Sequence, residues 1–145
     1  GIAGSDEEAP RMLELLRGHG VDFVALAGYM RLIPSEVVAA YNGCMLNIHP
    51  ALLPSFGGKG MYGHHVHEAV LAAGVKVTGV TVHVVDERYD RGPIVMQACV
   101  PVHDDDTVET LAARVLLTEH QIYARALQLF AEGRVKIMHH RSIIT

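Results

Sequence analysis

Asn47 and His49 flank a single apolar residue, Ile48, at the end of the run Cys44-Met45-Leu46-Asn47-Ile48. Residues two apart on an extended chain point the same way, so the amide and the imidazole share one face. The carboxyl end of a buried strand is where open α/β sheets take their ligands. An Asn amide N–H suits a developing oxyanion, and an imidazole can move a proton near neutral pH. Taken alone, the pair also reads as a strand-end Asn and His satisfied by loop backbone. Asp90 strengthens the chemical reading. It sits in the turn after a long β-branched run, and a carboxylate beside an imidazole favours the imidazolium, a proton donor.

A second carboxylate stands out. Leu111, Val115, Ile122, Ala126 and Phe130 recur at helical spacing, and Glu119 falls inside that stripe. Burying an unpaired charge is costly, so Glu119 either bridges to a cation of the domain or meets a substrate hydroxyl in a pocket. His83, in a β-branched run, reads as a hydrogen-bonded structural histidine. His64, His65 and His67 crowd a helix start. Residues two apart on a helix diverge, so solvated histidines are expected there rather than zinc ligands. His139 and His140 read as a polar tail. Pro50 to Gly63, with Gly57, Gly58, Gly60 and Gly63, is long for a connection. It lacks both the Walker spacing and GxGxxG, so a hinged lid over a site is preferred to a nucleotide loop.

These side chains need a frame. Ser5 with Glu8 resembles a capping box, and Met12, Leu15 and Leu16 continue a helix to about Gly18, with Pro10 in its first turn. Val21 to Ala27 and Cys44 to Ile48 read as strands buried on both faces. Val66, Ala69, Val70 and Ala73 form a helical stripe closed by Gly74. Val75 to Val85 and Ile94 to Val102 read as strands joined by a short turn containing Asp90, Gly92 and Pro93. The last helix starts at Asp106 or Thr107 and runs to about Ala131, before Gly133. Alternation of this kind predicts an α/β fold on a largely parallel sheet.

Composition narrows the function classes. Half of the 145 residues are apolar and the formal charge is −4, which suits one globular domain and offers no basic field for nucleic acid or anionic membrane. No uncharged apolar run approaches the ~20 residues of a membrane helix, and no signal peptide is visible, so a cytoplasmic protein is expected. Cys44 and Cys99 are expected to be buried, reduced thiols.

Asn47-Ile48-His49-Pro50-Ala51-Leu52-Leu53-Pro54-Ser55-Phe56 is preceded by Leu26-Ala27-Gly28-Tyr29-Met30-Arg31. It is followed by Gly79-Val80-Thr81-Val82-His83 and by Asp86-Glu87-Arg88-Tyr89-Asp90-Arg91-Gly92-Pro93. Together, from about Leu13 to Ile137, these motifs resemble the phosphoribosylglycinamide formyltransferases, folate-dependent enzymes of purine synthesis. The resemblance implies a three-layer, Rossmann-like α/β fold of the formyltransferase type with a mostly parallel sheet. It also implies direct formyl transfer from 10-formyltetrahydrofolate to the amine of 5'-phosphoribosylglycinamide through a tetrahedral intermediate, with no metal. His49 would donate the proton, Asp90 would raise its pKa, and Asn47 would bind the oxyanion. Met30, Arg31, Leu32 and Ile33, with Asn47, Asp86, Glu87, Arg88, Tyr89 and Asp90, would line the folate pocket. Glu119 would hold the ribose hydroxyls, with Pro50 also on the substrate side. The partners implied are two small molecules, the glycinamide ribonucleotide and the reduced folate, acting on a monomer or homodimer.

Related families sharpen the choice. Methionyl-tRNA formyltransferases add a basic stretch and a tRNA domain, and formyltetrahydrofolate hydrolases resemble a His-His version of the motif; here Pro50 follows His49. A hydrolase, a non-catalytic folate-binding fragment and, more remotely, a metal hydrolase remain as alternatives. Two local departures bear on folate affinity or loop shape: Val84, where an aromatic is common, and Arg91, where a small residue is usual. A third is larger. The sequence opens at Gly1-Ile2-Ala3-Gly4 and is expected to be a single domain, 1–145, comprising the C-terminal two thirds of the family's fold. The N-terminal βα units and their phosphate-binding turn would be missing, leaving an apolar strand edge near Phe23 to Ala27 open. This segment alone is then expected to be nearly inactive.

Overall fold

The computed structural model describes residues 6–145. Four strands form one sheet in the order β1-β2-β3-β4: β1 Val24–Leu26, β2 Met45–His49, β3 Val77–Val84 and β4 Ile94–Pro101. Helices α1 Glu8–Gly18, α2 Ser35–Ala40, α3 His64–Ala73 and α4 Val108–Ala131 surround it, and a hairpin of β5 Val135–Met138 and β6 Arg141–Ile144 follows. Ser5 and the four residues before it lie outside the described residues, so the capping box drawn through Ser5 is not addressed. Pro10 does fall in the first turn of α1.

Alternation along β2 divides the core. Leu46 and Ile48 join Val80, Val82, Val84, Leu111, Val115 and Ala126 in one cluster between the sheet and the α4 side. Met45 packs with Ile33, Val37, Val38 and Tyr41 in a second cluster under α1 and α2. Leu46 is fully buried, a burial that contributes roughly 1.5–3 kcal/mol. Both faces of β2 are thus covered, as its apolar run predicts. The Thr107 hydroxyl accepts from the Thr110 N–H, and the Thr110 hydroxyl in turn caps the Thr107 N–H, which fixes the start of the 24-residue α4.

The α/β expectation holds, but the four strands form a mixed sheet. β1 and β2 are parallel, whereas β2–β3 and β3–β4 are antiparallel. A short turn between β3 and β4 allows no crossover, so that pair must run antiparallel. β1 is shorter than expected and only half-buried, because it occupies the sheet edge. α2 carries no periodic signal in the sequence, since six residues after Pro34 are too few to display one. His139 and His140 form the turn of a hairpin rather than a tail, with His139 at φ 56° supplying the twist. Both cysteines are exposed, not buried. Cys99 falls on the outward side of β4, next to buried Val100, and Cys44 precedes β2.

Candidate active site

The sheet brings Asn47 and His49, on β2, to within reach of Asp90, in the loop after β3. His49 Nδ1 is 3.6 Å from Asp90 Oδ2, and the two side chains are 5% and 9% exposed. The other edge of the ring is fixed: His49 Nε2 donates to the Phe56 carbonyl at 2.7 Å. Asp90 Oδ2 accepts the Gly58 N–H at 2.9 Å. The segment from Pro50 to Gly63 therefore borders the site, and it is tied to both catalytic candidates by its own backbone. Phe56 and Asp90 each adopt positive φ, 55° and 54°, conformations that cost a non-glycine residue energy and that gather where a site demands them. A side chain at Gly57 would run into Leu53 and press on Asp90 Cβ, which explains the glycine.

His83 plays a larger part than its sequence context suggests. Paired with Asn47 across the β2–β3 register, it places Nε2 3.3 Å from Asn47 Nδ2 and 3.5 Å from Asp90 Oδ1. Its Nδ1 donates to the Val84 carbonyl at 3.1 Å. Nε2 thus stands between the Asn47 amide and the Asp90 carboxylate. His83 is thus the structural, hydrogen-bonded histidine expected, and it also links the amide to the carboxylate.

Burial dominates the electrostatics. It lowers the His49 pKa from its ordinary value, and the opposing pull of Asp90 and the Phe56 carbonyl does not restore it. Asp90 does act on His49 in the expected direction, but the net pKa is lowered rather than raised. The carboxylate pulls upward, but desolvation of a nearly buried ring outweighs it. For Asp90 burial pushes upward, yet the His83 hydrogen bond, the pull of His49 when it is protonated and the Gly58 N–H together hold it below the usual carboxylate range.

These groups line a cavity of about 650 Å³. Met30, Arg31, Leu32 and Ile33 form one wall, and Asp86, Arg88, Tyr89 and Asp90 form another. Glu87 is exposed and does not line it. Pro50 and Glu119 do. Glu119 makes no ion pair among the described residues, and burial raises its pKa above that of an ordinary glutamate. Of its two readings, the pocket-facing one fits. Arg31, on the first of these walls, pairs with Glu8 at 2.7 Å.

The histidines at the start of α3 separate. His65 is exposed and pairs with Glu68 at 3.7 Å, as a solvated residue should. His67 is buried, lines the same cavity and leaves Nδ1 without a partner. Its spacing of three from buried Val70 is the signal that placed it on the inner face.

The chain is similar in sequence and fold to proteins already known. The chain is 52% identical over 124 residues to "Phosphoribosylglycinamide formyltransferase, chloroplastic" of Vigna unguiculata, covering 86% of this chain and 40% of that protein. Among solved structures, glycinamide ribonucleotide transformylase 1 from Symbiobacterium toebii superposes with a TM-score of 0.86 at 48% identity, over 92% of this chain and 61% of that one. A formyltetrahydrofolate deformylase from Pseudomonas syringae superposes with a TM-score of 0.87 at 30% identity, over 96% of this chain and 45% of that one. The chain thus spans less than two thirds of the length of each of these proteins. The profile of the formyl transferase family matches residues 2–127, and with that match over most of its length the chain belongs to the formyl transferase family.

Proposed function

We propose that the site transfers a formyl group from 10-formyltetrahydrofolate to the amine of 5'-phosphoribosylglycinamide. The observation that carries this reading is the convergence of Asn47, His49 and Asp90 in one cavity, with the carboxylate 3.6 Å from the imidazole. The amine attacks the formyl carbon and the carbonyl oxygen becomes an oxyanion, for which the Asn47 amide supplies an N–H. As the carbon–N10 bond breaks, the proton lost by the amine must reach N10. His49 rests neutral because of its burial, so it can accept that proton, and the imidazolium then faces an ionised Asp90. In this scheme His49 is the proton donor to N10 in the second half of the reaction, and Asp90 stabilises it while charged. The sequence needs no metal.

The folate would lie between the Met30 to Ile33 wall and the Asp86 to Asp90 loop, with backbone groups offered to the pterin edge. Glu119 would take the ribose hydroxyls, a role that suits a half-buried carboxylate whose pKa is raised by burial despite the opposing pull of His120. The substrates are small molecules. Among the described residues no helix is long and apolar enough to cross a membrane. A cytoplasmic monomer or homodimer completes the proposal.

The 30% identity to a deformylase supports one other reading, hydrolysis of 10-formyltetrahydrofolate to formate. Formyl transfer assayed with and without the glycinamide ribonucleotide separates the two. Product that appears only with the amine supports transfer, and formate released without it supports hydrolysis. Folate binding with neither product would identify a folate-binding module and overturn the proposal.

A further inference from the structure

A second cavity, of about 750 Å³, lies beside the first and shares Gly58, Arg88, Tyr89 and Asp90 with it. Beside Leu53, Pro54, Gly57 and Ile94, its remaining wall comes from Arg91 and Gly92 on the loop after β3 and from His140, Arg141 and Ser142 at the turn of the β5–β6 hairpin. Three arginines and a histidine thus border one concavity in a chain whose net charge is −4. Local charge of this sign runs against the molecule as a whole.

The charges are also available. Arg88 is engaged by Asp86 at 3.4 Å, but the side chains of Arg91 and Arg141 make no hydrogen bond or ion pair among the described residues. Asp90, the one carboxylate on the wall, is already committed to the Gly58 N–H, with His49 and His83 on either side. The hairpin is not free to swing away, because the Ser142 hydroxyl donates to the Ile94 carbonyl at 2.6 Å. Arg141, next in the chain, therefore stays on the cavity that Arg91 also lines, and its side chain has no counter-charge among the described residues. Two like charges fixed at one concavity without a partner repel, and the arrangement is relieved by an anion that both forks can grip.

We propose that this cavity is an anion-binding site for a multiply charged ligand bearing phosphate or carboxylate groups, gripped by Arg91 and Arg141. Its floor is the back of the Asp90 loop. An anion there draws Arg91 towards the hairpin and fixes the loop that carries Asp90, so occupancy also bears on the first cavity. The proposal does not depend on which reaction that cavity performs.

Titration calorimetry of this chain with inorganic pyrophosphate and, separately, with triglutamate tests it. At least one of the two binds, and Arg91→Gln with Arg141→Gln weakens that binding about tenfold or more. Which of the two anions binds more tightly identifies phosphate or carboxylate as the natural chemistry. Arg91→Lys with Arg141→Lys, which keeps both charges, retains measurable binding and serves where the glutamine pair fails to fold by circular dichroism. Absence of binding of either anion to the unaltered chain overturns the proposal. So does binding of equal strength in the glutamine double variant, since that places the anion elsewhere.

Discussion

His83 Nε2 stands 3.5 Å from Asp90 Oδ1, so the carboxylate that faces His49 through one oxygen is approached by a second imidazole through the other. Both oxygens of Asp90 are thereby directed, and its side chain is 9% exposed. Removing His83 should free the carboxylate to rotate and leave the Asn47 amide without its partner. His83→Ala is expected to lower kcat roughly 10–100-fold, the loss expected for a charge-assisted hydrogen bond, with little change in folate affinity. A matched fall in folate affinity, measured by fluorescence titration, would show instead that His83 shapes the pocket.

Asp90→Asn keeps the shape of the side chain and removes its charge. The imidazolium of His49 then loses its counter-ion, and transfer should fall by about 10²–10⁴-fold. Folate binding should survive, because the variant keeps the shape of the Asp90 side chain and leaves the wall at Met30 to Ile33 untouched. Loss of the cooperative melt in this variant would assign Asp90 a structural role.

Acid should act on His49 in a defined direction. Its folded pKa lies below 6.5, because burial disfavours the imidazolium, so the folded state prefers the neutral ring. The stability this contributes is fully present above the unfolded value and is lost as pH falls through the folded value. Asp90, also lowered, contributes above its unfolded value of 3.8 and loses that contribution only at still lower pH. The thermal midpoint should therefore fall as pH drops below about 6.5. Replacing His49 with Gln should flatten that first decline, and an unchanged slope would refute the assignment. For the reaction, kcat/KM should hold above neutrality and fall on the acid side as His49 takes up a proton.

Much of this site is legible from residue types and short-range pattern, and the limits have physical causes. The two-residue spacing of Asn47 and His49 on an apolar strand fixes their common face before any tertiary contact is considered, and β2 ends at His49. The extent of β3 and β4 follows from β-branched runs, and Thr107 marks the start of α4. Strand direction is different: periodicity is the same for a parallel and an antiparallel neighbour, so the reversal between β2 and β3 carries no local signal. Burial is different again. Whether His67 meets solvent, or whether desolvation of His49 outweighs Asp90, depends on what packs above the ring. Those neighbours lie far away in the chain.

Gly92 shows how closely the loop is built. A Cβ at that position would overlap the Val84 carbonyl oxygen, which is backbone and cannot swing aside. Gly92→Ala should therefore displace the strand end or the loop, at a cost of about 2–4 kcal/mol. The midpoint of a urea melt measures it. A change below about 0.5 kcal/mol, the range of ordinary surface substitutions, would show that the loop relaxes freely.

Glu119 separates binding from stability. Its folded pKa is raised, chiefly by desolvation, so the folded state prefers the protonated acid. That preference stabilises the fold below the unfolded pKa and is lost as pH rises through the folded value, leaving a charged, half-buried carboxylate that costs energy at neutral pH. Glu119→Gln removes the charge and keeps the shape. The variant should melt higher than the unaltered chain at pH 7 and match it more closely at pH 4. A carboxylate retained against this cost in the wall of a cavity is explained by a ligand that needs it. KM for the glycinamide ribonucleotide should rise roughly 10–100-fold in the variant, the loss expected for a hydrogen bond to a charged group, while kcat changes little. A higher melting point with an unchanged KM would leave Glu119 without a role in holding the nucleotide and would move the ribose site to another wall of the cavity.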